Sequence, residues 1–169
     1  MPSASFTRHI CHDADDLLEM VANVEDYPTF INLISALRIT KQIDERNFEA
    51  EAVVAYKMIR ESFKSLIHID REKKYIRVTK AEKGGAGKTL ENTWKFHPRS
   101  DGSTAVEFYV DVSLKAFPLN MLIRDKMDKA SEVIMNAFVA RAAQVCRSVK
   151  SEDIDLTAEY GRLGLGSST

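Results

Sequence analysis

The sequence predicts an α+β fold in which a curved antiparallel sheet of about seven strands wraps around one long C-terminal helix. From Pro118 to Val149 the apolar residues recur three or four positions apart, as on one face of a helix of about eight turns. From Ile34 to Lys115 they instead alternate with polar residues, which is typical of strands with one wet face. The turns between these runs are about five residues long, so neighbouring strands are expected to be antiparallel.

The first 31 residues predict an edge strand followed by two short helices. Ser3 to Cys11 is interpreted as the strand. The acidic residues at 13, 15 and 16 suit the start of a helix, because carboxylates are favourable at the positive end of the helix dipole. Tyr27-Pro28 is expected to interrupt this helix, since the residue before a proline is disfavoured in helical geometry, and a second helical turn is predicted to begin there.

The long helix is expected to run along the concave side of the sheet, because it is at least as long as the strands. Its predicted buried stripe contains Ile123, Met127, Ala130, Ile134, Phe138, Ala142, Val145 and Val149. A straight helix and a curved sheet do not touch everywhere, so a ligand cavity is predicted between them, closed by the two short helices.

Composition limits the possible functions. The chain has 169 residues with 24 basic and 25 acidic side chains, which gives a net charge of −1. This overall charge does not favour nucleic acid or an anionic surface as a binding partner. Cys11 and Cys146 are expected to be free thiols in a reducing cytosol. No apolar run approaches the ~18 residues of a membrane span, so any membrane contact is expected to be peripheral. Residues 1–150 are predicted to form one domain, and the glycine-containing stretch 151–169 a largely disordered tail.

The sequence offers no recognisable catalytic or metal site. Lys83 to Thr89 is similar to a phosphate-binding loop, but Glu82 stands where that motif needs its first glycine. His9, Cys11 and His12 are close in sequence, yet strand alternation sends His12 to the opposite face. We therefore predict a protein that is not an enzyme, with no catalytic residue, metal or cofactor.

The candidate ligand-binding residues are those predicted to line the cavity or its entrance. The entrance is placed between 27–31 and 117–122, two apolar stretches that otherwise form a hydrophobic corner of the core. Asn92 has two interpretations: a core amide satisfied by backbone, or a hydrogen-bond donor to a ligand carbonyl. The full set is Tyr27, Pro28, Phe30, Ile31, Asn92, Trp94, Phe96, Phe108, Val110, Leu122, Met127, Ile134 and Phe138.

Four segments carry a resemblance to a known family: Tyr27-Pro28-Thr29-Phe30, Trp94-Lys95-Phe96, Val106 to Lys115, and Ala137 to Ala142. In this order and spacing the chain resembles the START-like coenzyme Q-binding family, whose bacterial members are often labelled ribosome association toxins, within the polyketide cyclase and lipid-transport superfamily. The resemblance covers about residues 3 to 149. It implies a helix-grip fold, a hydrophobic cavity and no catalytic residues.

The chain departs from the family pattern at two places near the expected cavity mouth. Ile31-Asn32 replaces the family's Leu-Pro, and residues 84–87 replace a Gly-Pro-Phe-like run. Both departures bear on ligand identity more than on fold.

The resemblance implies a cytoplasmic binding protein for ubiquinone or a related polyprenylated lipid that supports respiration, with transient contact at the inner membrane. One alternative is ribosome binding, which a set of basic residues in the middle strands favours through phosphate contacts. These are Lys57, Arg60, Lys64, Arg71, Lys73, Lys74, Arg77 and Lys80. A cyclase-like enzyme is the other alternative, and it needs a titratable side chain inside the cavity.

Overall fold

A computed structural model describes residues 3–56, 59–81, 87–115 and 117–146. The predicted tail and the loop at 83–86 lie outside the described residues. The elements follow the predicted order of one strand, two short helices, six strands and a long helix. They are β1 (Ser3–Ile10), α1 (Ala14–Ala22), a 3-10 turn (Val24–Asp26), α2 (Tyr27–Phe30), β2 (Ile34–Gln42), β3 (Asn47–Tyr56), β4 (Ile59–Asp70), β5 (Tyr75–Lys80), β6 (Gly87–Pro98), β7 (Thr104–Leu114) and α3 (Phe117–Val145).

The seven strands form one antiparallel sheet in the order β1-β7-β6-β5-β4-β3-β2. β1 is an edge strand, as predicted, and β2 forms the other edge. Trp94 lies opposite Phe108 on β7 and opposite Ile76 on β5, so these three side chains share one face of the sheet. That face meets α1 and α3, and we call it the concave face. The predicted α+β helix-grip architecture is confirmed.

α1 begins where the acidic run predicts. The Asp13 carboxylate accepts hydrogen bonds from the backbone N–H groups of Asp15 at 3.1 Å and Asp16 at 3.2 Å, which caps the helix. The predicted second helical turn does begin at Tyr27, as α2, but the predicted position and cause of the break before it are wrong. α1 already ends at Ala22, and Tyr27 has helical dihedral angles (φ −52°, ψ −42°) despite the proline that follows it. Packing of the Tyr27 side chain overrides the local preference.

α3 is the predicted long helix, but its buried stripe is rotated from the predicted one. The buried residues are Met127, Ser131, Met135, Phe138 and Ala142. Ala130 and Ile134 are only half-buried, and Val145 is 51% exposed. Apolar residues occur all around this helix, so spacing alone did not distinguish one stripe from its neighbour.

The first half of the meander also differs from its alternation pattern. Leu37, Ile39 and Ile43 alternate with Arg38 and Gln42 in the sequence, yet Ile39 and Ile43 are 37% and 48% exposed. Ile39 lies opposite buried Ala50 and so keeps the inward face, but β2 is an edge strand and leaves it partly uncovered. The register shifts between Ile39 and Lys41, and such an irregularity changes the face that the following residues take, Ile43 included.

Candidate functional site

An aromatic cluster occupies the centre of the concave face. Trp94 contacts Phe108 at 4.8 Å, Phe138 of α3 at 5.0 Å and Phe96 at 6.1 Å between ring centroids. Phe6 of β1 stacks on Phe108 at 4.8 Å. Trp94, Phe96, Phe108 and Phe138 are all at most 6% exposed. These four predicted site residues are therefore brought together, and they form packed core.

Two predicted rim residues pack on the same cluster from α2. The rings of Tyr27 and Phe30 each lie 5.2 Å from Phe138, edge to face. The Tyr27 hydroxyl donates a hydrogen bond to the Val21 carbonyl, and burial raises its pKa well above the ordinary value. Ile31 is 3% exposed. Tyr27, Pro28 and Phe30 are half-buried, and the Leu122 side chain lies outside the described residues.

Asn92 is held by protein groups on both sides of its amide. Its Nδ2 donates to the Tyr109 carbonyl at 2.8 Å, and its Oδ1 accepts from Trp94 Nε1 at 2.9 Å. Asn92 therefore fixes the indole of Trp94 to the neighbouring strand. This geometry matches the structural interpretation of the amide.

Beyond Asn92 the side chains of the concave face are less buried than those of the aromatic cluster. By register Val110 and Val112 lie opposite Asn92 and Leu90, and Val78 lies opposite Asn92 on β5. Most of the described residues of this part are apolar and only half-buried, although they lie on the inward side of the sheet. We call this set the open half of the concave face: Leu37, Ala52, Val54, Phe63, Val78, Leu90, Val110 and Val112.

The open half also contains polar residues that sequence reasoning missed. Ser65 and Lys80 are cross-strand partners on the same pleat as Ile67 and Ile76, and Glu61 lies further along β4. All three are half-buried. The sequence pattern groups Lys80 with the basic surface, but strict alternation from buried Ile76 places it inward.

Arg8 is a further inward charge, on β1 beside Phe6. Its guanidinium carbon lies 5.6 Å from the Phe6 ring centroid, and its Nε is buried without a hydrogen-bond partner. The inward face therefore carries three charged side chains among the described residues: Arg8, Glu61 and Lys80.

A separate cleft of about 460 Å³ lies between α1, α2 and the end of α3. It is lined by Asp16, Glu19, Met20, Asn23, Asp26, Phe30, Arg141 and Val145. Arg141 lies 3.6 Å from the Asp26 carboxylate and 5.5 Å from the Phe30 ring centroid. Only Phe30 belongs both to this cleft and to the predicted ligand site.

Within the described ranges, no group of three or more metal-ligating side chains is found. Cys11 and Cys146 are both free and half-buried. Burial, followed by the negative charges of Asp16 and Asp13, raises the pKa of the Cys146 thiol to about 11. At neutral pH Cys146 is therefore a thiol rather than a reactive thiolate.

The long helix held against a curved antiparallel sheet defines a helix-grip protein. Residues 10–139 match the family described as polyketide cyclase/dehydrase and lipid transport, and the chain belongs to that family. Over 150 residues it is 27% identical to the ribosome association toxin RatA of Rickettsia prowazekii, covering 87% of this chain and 100% of that protein.

Two solved structures show the same fold. The Zhui aromatase/cyclase of Streptomyces sp. R1128 superposes with a TM-score of 0.73 at 14% identity, covering 84% of this chain and 93% of that one. A START superfamily protein of Mycobacterium smegmatis superposes with a TM-score of 0.71 at 18% identity, covering 84% and 97%. The resemblance inferred from sequence is confirmed at the level of the START-like family and fold.

Proposed function

We propose that this protein is a non-enzymatic binder of a polyprenylated quinone or a related lipid, which it holds between the sheet and α3. The observation that carries the proposal is the open half of the concave face. Its apolar side chains face inward yet retain solvent access, and burying such surface against an apolar ligand stabilises a complex by roughly 25 cal/mol per Å². Membership in a family named for lipid transport supports the same proposal.

The residues on the concave face support binding rather than catalysis. The chain has four histidines, and the three on strands, His9, His68 and His97, occupy the convex pleat of β1, β4 and β6. General acid–base chemistry needs a group poised near the working pH and within hydrogen-bond reach of substrate. Over the described part of the concave face, the titratable groups are Arg8, Glu61 and Lys80. Lys80 lies beside the Ser65 hydroxyl, but its Nζ donates to the Ala81 carbonyl and not to that hydroxyl.

The single tryptophan provides a direct assay. Trp94 lies next to the open half through its hydrogen bond to Asn92, so a quinone bound there should quench its fluorescence. We expect saturable quenching by decylubiquinone and a co-purifying isoprenoid lipid in organic extracts analysed by mass spectrometry. Absence of both saturable quenching and extracted lipid would contradict the proposal.

Ribosome binding is the second candidate, because the relative from Rickettsia prowazekii bears that name. The basic residues do not form one free surface, however. Arg71 pairs with Glu19 at 2.5 Å, Lys74 with Asp15 at 3.2 Å and Arg77 with Glu91 at 3.3 Å. Lys80 faces inward and Lys57 lies outside the described residues.

Co-sedimentation with ribosomes tests this candidate. Phosphate contacts release counterions, so a genuine complex should weaken steeply as salt is raised. We expect no salt-dependent pelleting of the purified protein. A ribosome-bound fraction at low salt that disappears at higher salt would favour the second candidate instead.

In the part of the chain that the structure describes, no helix is long and apolar enough to cross a membrane. We propose that the protein is cytoplasmic and meets the inner membrane only transiently, to exchange its lipid.

A further inference from the structure

Lys80 occupies an unusual position for a lysine. It is the last residue of β5 and lies on the concave face, where it pairs across the strands with Ser65. Its neighbour on the same pleat is Val78, and Leu90 lies on the adjacent strand β6. The side chain is half-buried in these apolar surroundings.

The ammonium group of Lys80 is poorly satisfied by the protein. Nζ donates to the Ala81 carbonyl at 3.3 Å, which uses one of its three N–H groups. Lys80 forms no ion pair with an acidic side chain of the described residues, whereas Arg71 and Lys74 in the turn before β5 and Arg77 on β5 all do. The remaining N–H groups of this ammonium are therefore available to donate charge-assisted hydrogen bonds to an oxygen acceptor on a bound molecule.

The surroundings indicate how such a molecule would lie. Phe63 is two residues from Ser65 on the same pleat. Its ring lies close to the backbone of Gly87 at the start of β6, since a Cβ built on that glycine would be 3.6 Å from the ring. Val78, Leu90, Val110 and Val112 continue from Lys80 toward Asn92 as an apolar surface. An amphiphile would therefore place its polar head at Lys80 and Ser65 and its chain along these residues.

We propose that Lys80, assisted by Ser65, is the head-group ligand of this site, and that the site prefers an amphiphile whose head is an anionic oxygen group such as a carboxylate. This inference rests on the proposed lipid-binding function and adds the chemical class of the head.

The matched pair of palmitate and methyl palmitate tests the preference, because the two differ only in the charge of the head. Binding is measured by displacement of a fluorescent apolar probe, with decylubiquinone as a neutral quinone arm. We expect wild type to bind palmitate about tenfold or more tightly than the ester, as a charge-assisted hydrogen bond predicts. Lys80→Met should abolish that preference and leave ester binding unchanged, while Lys80→Arg should retain it.

Lys64→Met is the matched control. Lys64 is also half-buried and lies next to Ser65, but on the convex face opposite Glu51. The Lys64→Met substitution should therefore leave the affinities for palmitate, methyl palmitate and decylubiquinone unchanged. Melting curves of both methionine variants establish that they fold.

Equal binding of palmitate and its ester by wild type, with Lys80→Met unchanged, would overturn the head-group assignment and leave lipid binding standing. A loss of the preference in Lys64→Met as strong as that in Lys80→Met would overturn the assignment in the same way. Failure of wild type to bind palmitate, ester and quinone would instead overturn the proposed function itself.

Discussion

The packed half and the open half of the concave face are both mainly apolar, but they differ in how much their side chains are exposed to solvent. In the packed half, Trp94, Phe108 and Phe138 are in ring contact and nearly inaccessible to solvent. In the open half, side chains such as Leu90 and Val112 continue the same strands and the same pleat, yet remain half-buried. The difference is what lies above them: α3 packs mainly against β1 and β7, at one side of the sheet. Close packing under α3 therefore goes with low solvent exposure on one part of this face, and the part further from α3 keeps solvent access.

The largest expected effect is at Phe138, where the packed half meets α3. Phe138→Ala should lower the free energy of unfolding by about 3 to 5 kcal/mol, because the ring is 2% exposed and contacts Tyr27, Phe30 and Trp94. Denaturant titration measures this change. Val139→Ala is the control, since Val139 is 39% exposed and its truncation should cost under about 1 kcal/mol. Similar losses in both variants would mean that the packed half is not the stabilising one.

Asn92 lies at the boundary between the halves. Asn92→Leu should cost about 1 to 3 kcal/mol, because it leaves the Trp94 indole N–H and the Tyr109 carbonyl without their partner. The Trp94 emission maximum and the unfolding midpoint report the change together. Unchanged stability with a large loss of quinone affinity would show instead that the amide serves the ligand.

Leu90 tests the open half. Leu90→Ala should cost only about 1 kcal/mol in stability, because a half-buried side chain leaves a smaller cavity than a core leucine. The affinity of Leu90→Ala for decylubiquinone should fall several-fold more than the affinity of Ile39→Ala, which truncates an exposed strand residue. A stability loss comparable to that of Phe138→Ala, with unchanged affinity, would assign Leu90 to the core.

The smallest expected effect lies outside both halves, at the turn between β6 and β7. His9 Nε2 is 2.8 Å from Ser103 Oγ, and burial, aided by the positive charge of Arg99, lowers the His9 pKa from its ordinary value of 6.5. As the pH falls, His9 is therefore protonated in the unfolded chain before it is protonated in the folded protein. The contribution of His9 to the free energy of unfolding is fully present above about pH 6.5 and is lost as the pH drops toward the lower pKa of the folded state. His9→Gln should lose less stability than wild type between about pH 7.5 and about pH 5.5 in thermal melts. An identical pH dependence in both proteins would contradict this assignment.

The outcome at individual residues shows which predictions depended on local pattern. Alternation placed Trp94 and Phe96 on one face of their strand, because side-chain direction in a strand follows from position alone. The register of β6 and β7 then puts Phe108 on the same face as Trp94. Helical periodicity was less decisive in α3, where Ile134 and Met135 are adjacent and both apolar, and packing selected Met135. Asn92 was correctly placed, but its partners Trp94 and Tyr109 depend on strand register. Whether Leu122 lines an entrance remains a prediction, since its side chain lies outside the described residues.

By itself the sequence determined the element order, the antiparallel meander, the cap at Asp13 and the family, because these depend on periodicity, turn residues and motifs that are local in the chain. The tertiary structure decided the rotation of α3, the helical geometry of Tyr27 before its proline, and the pairing of Lys80 with Ser65 across the strands. Each of these follows from contacts between residues far apart in sequence, and the free energy of such packing exceeds the weak local preferences that a sequence displays.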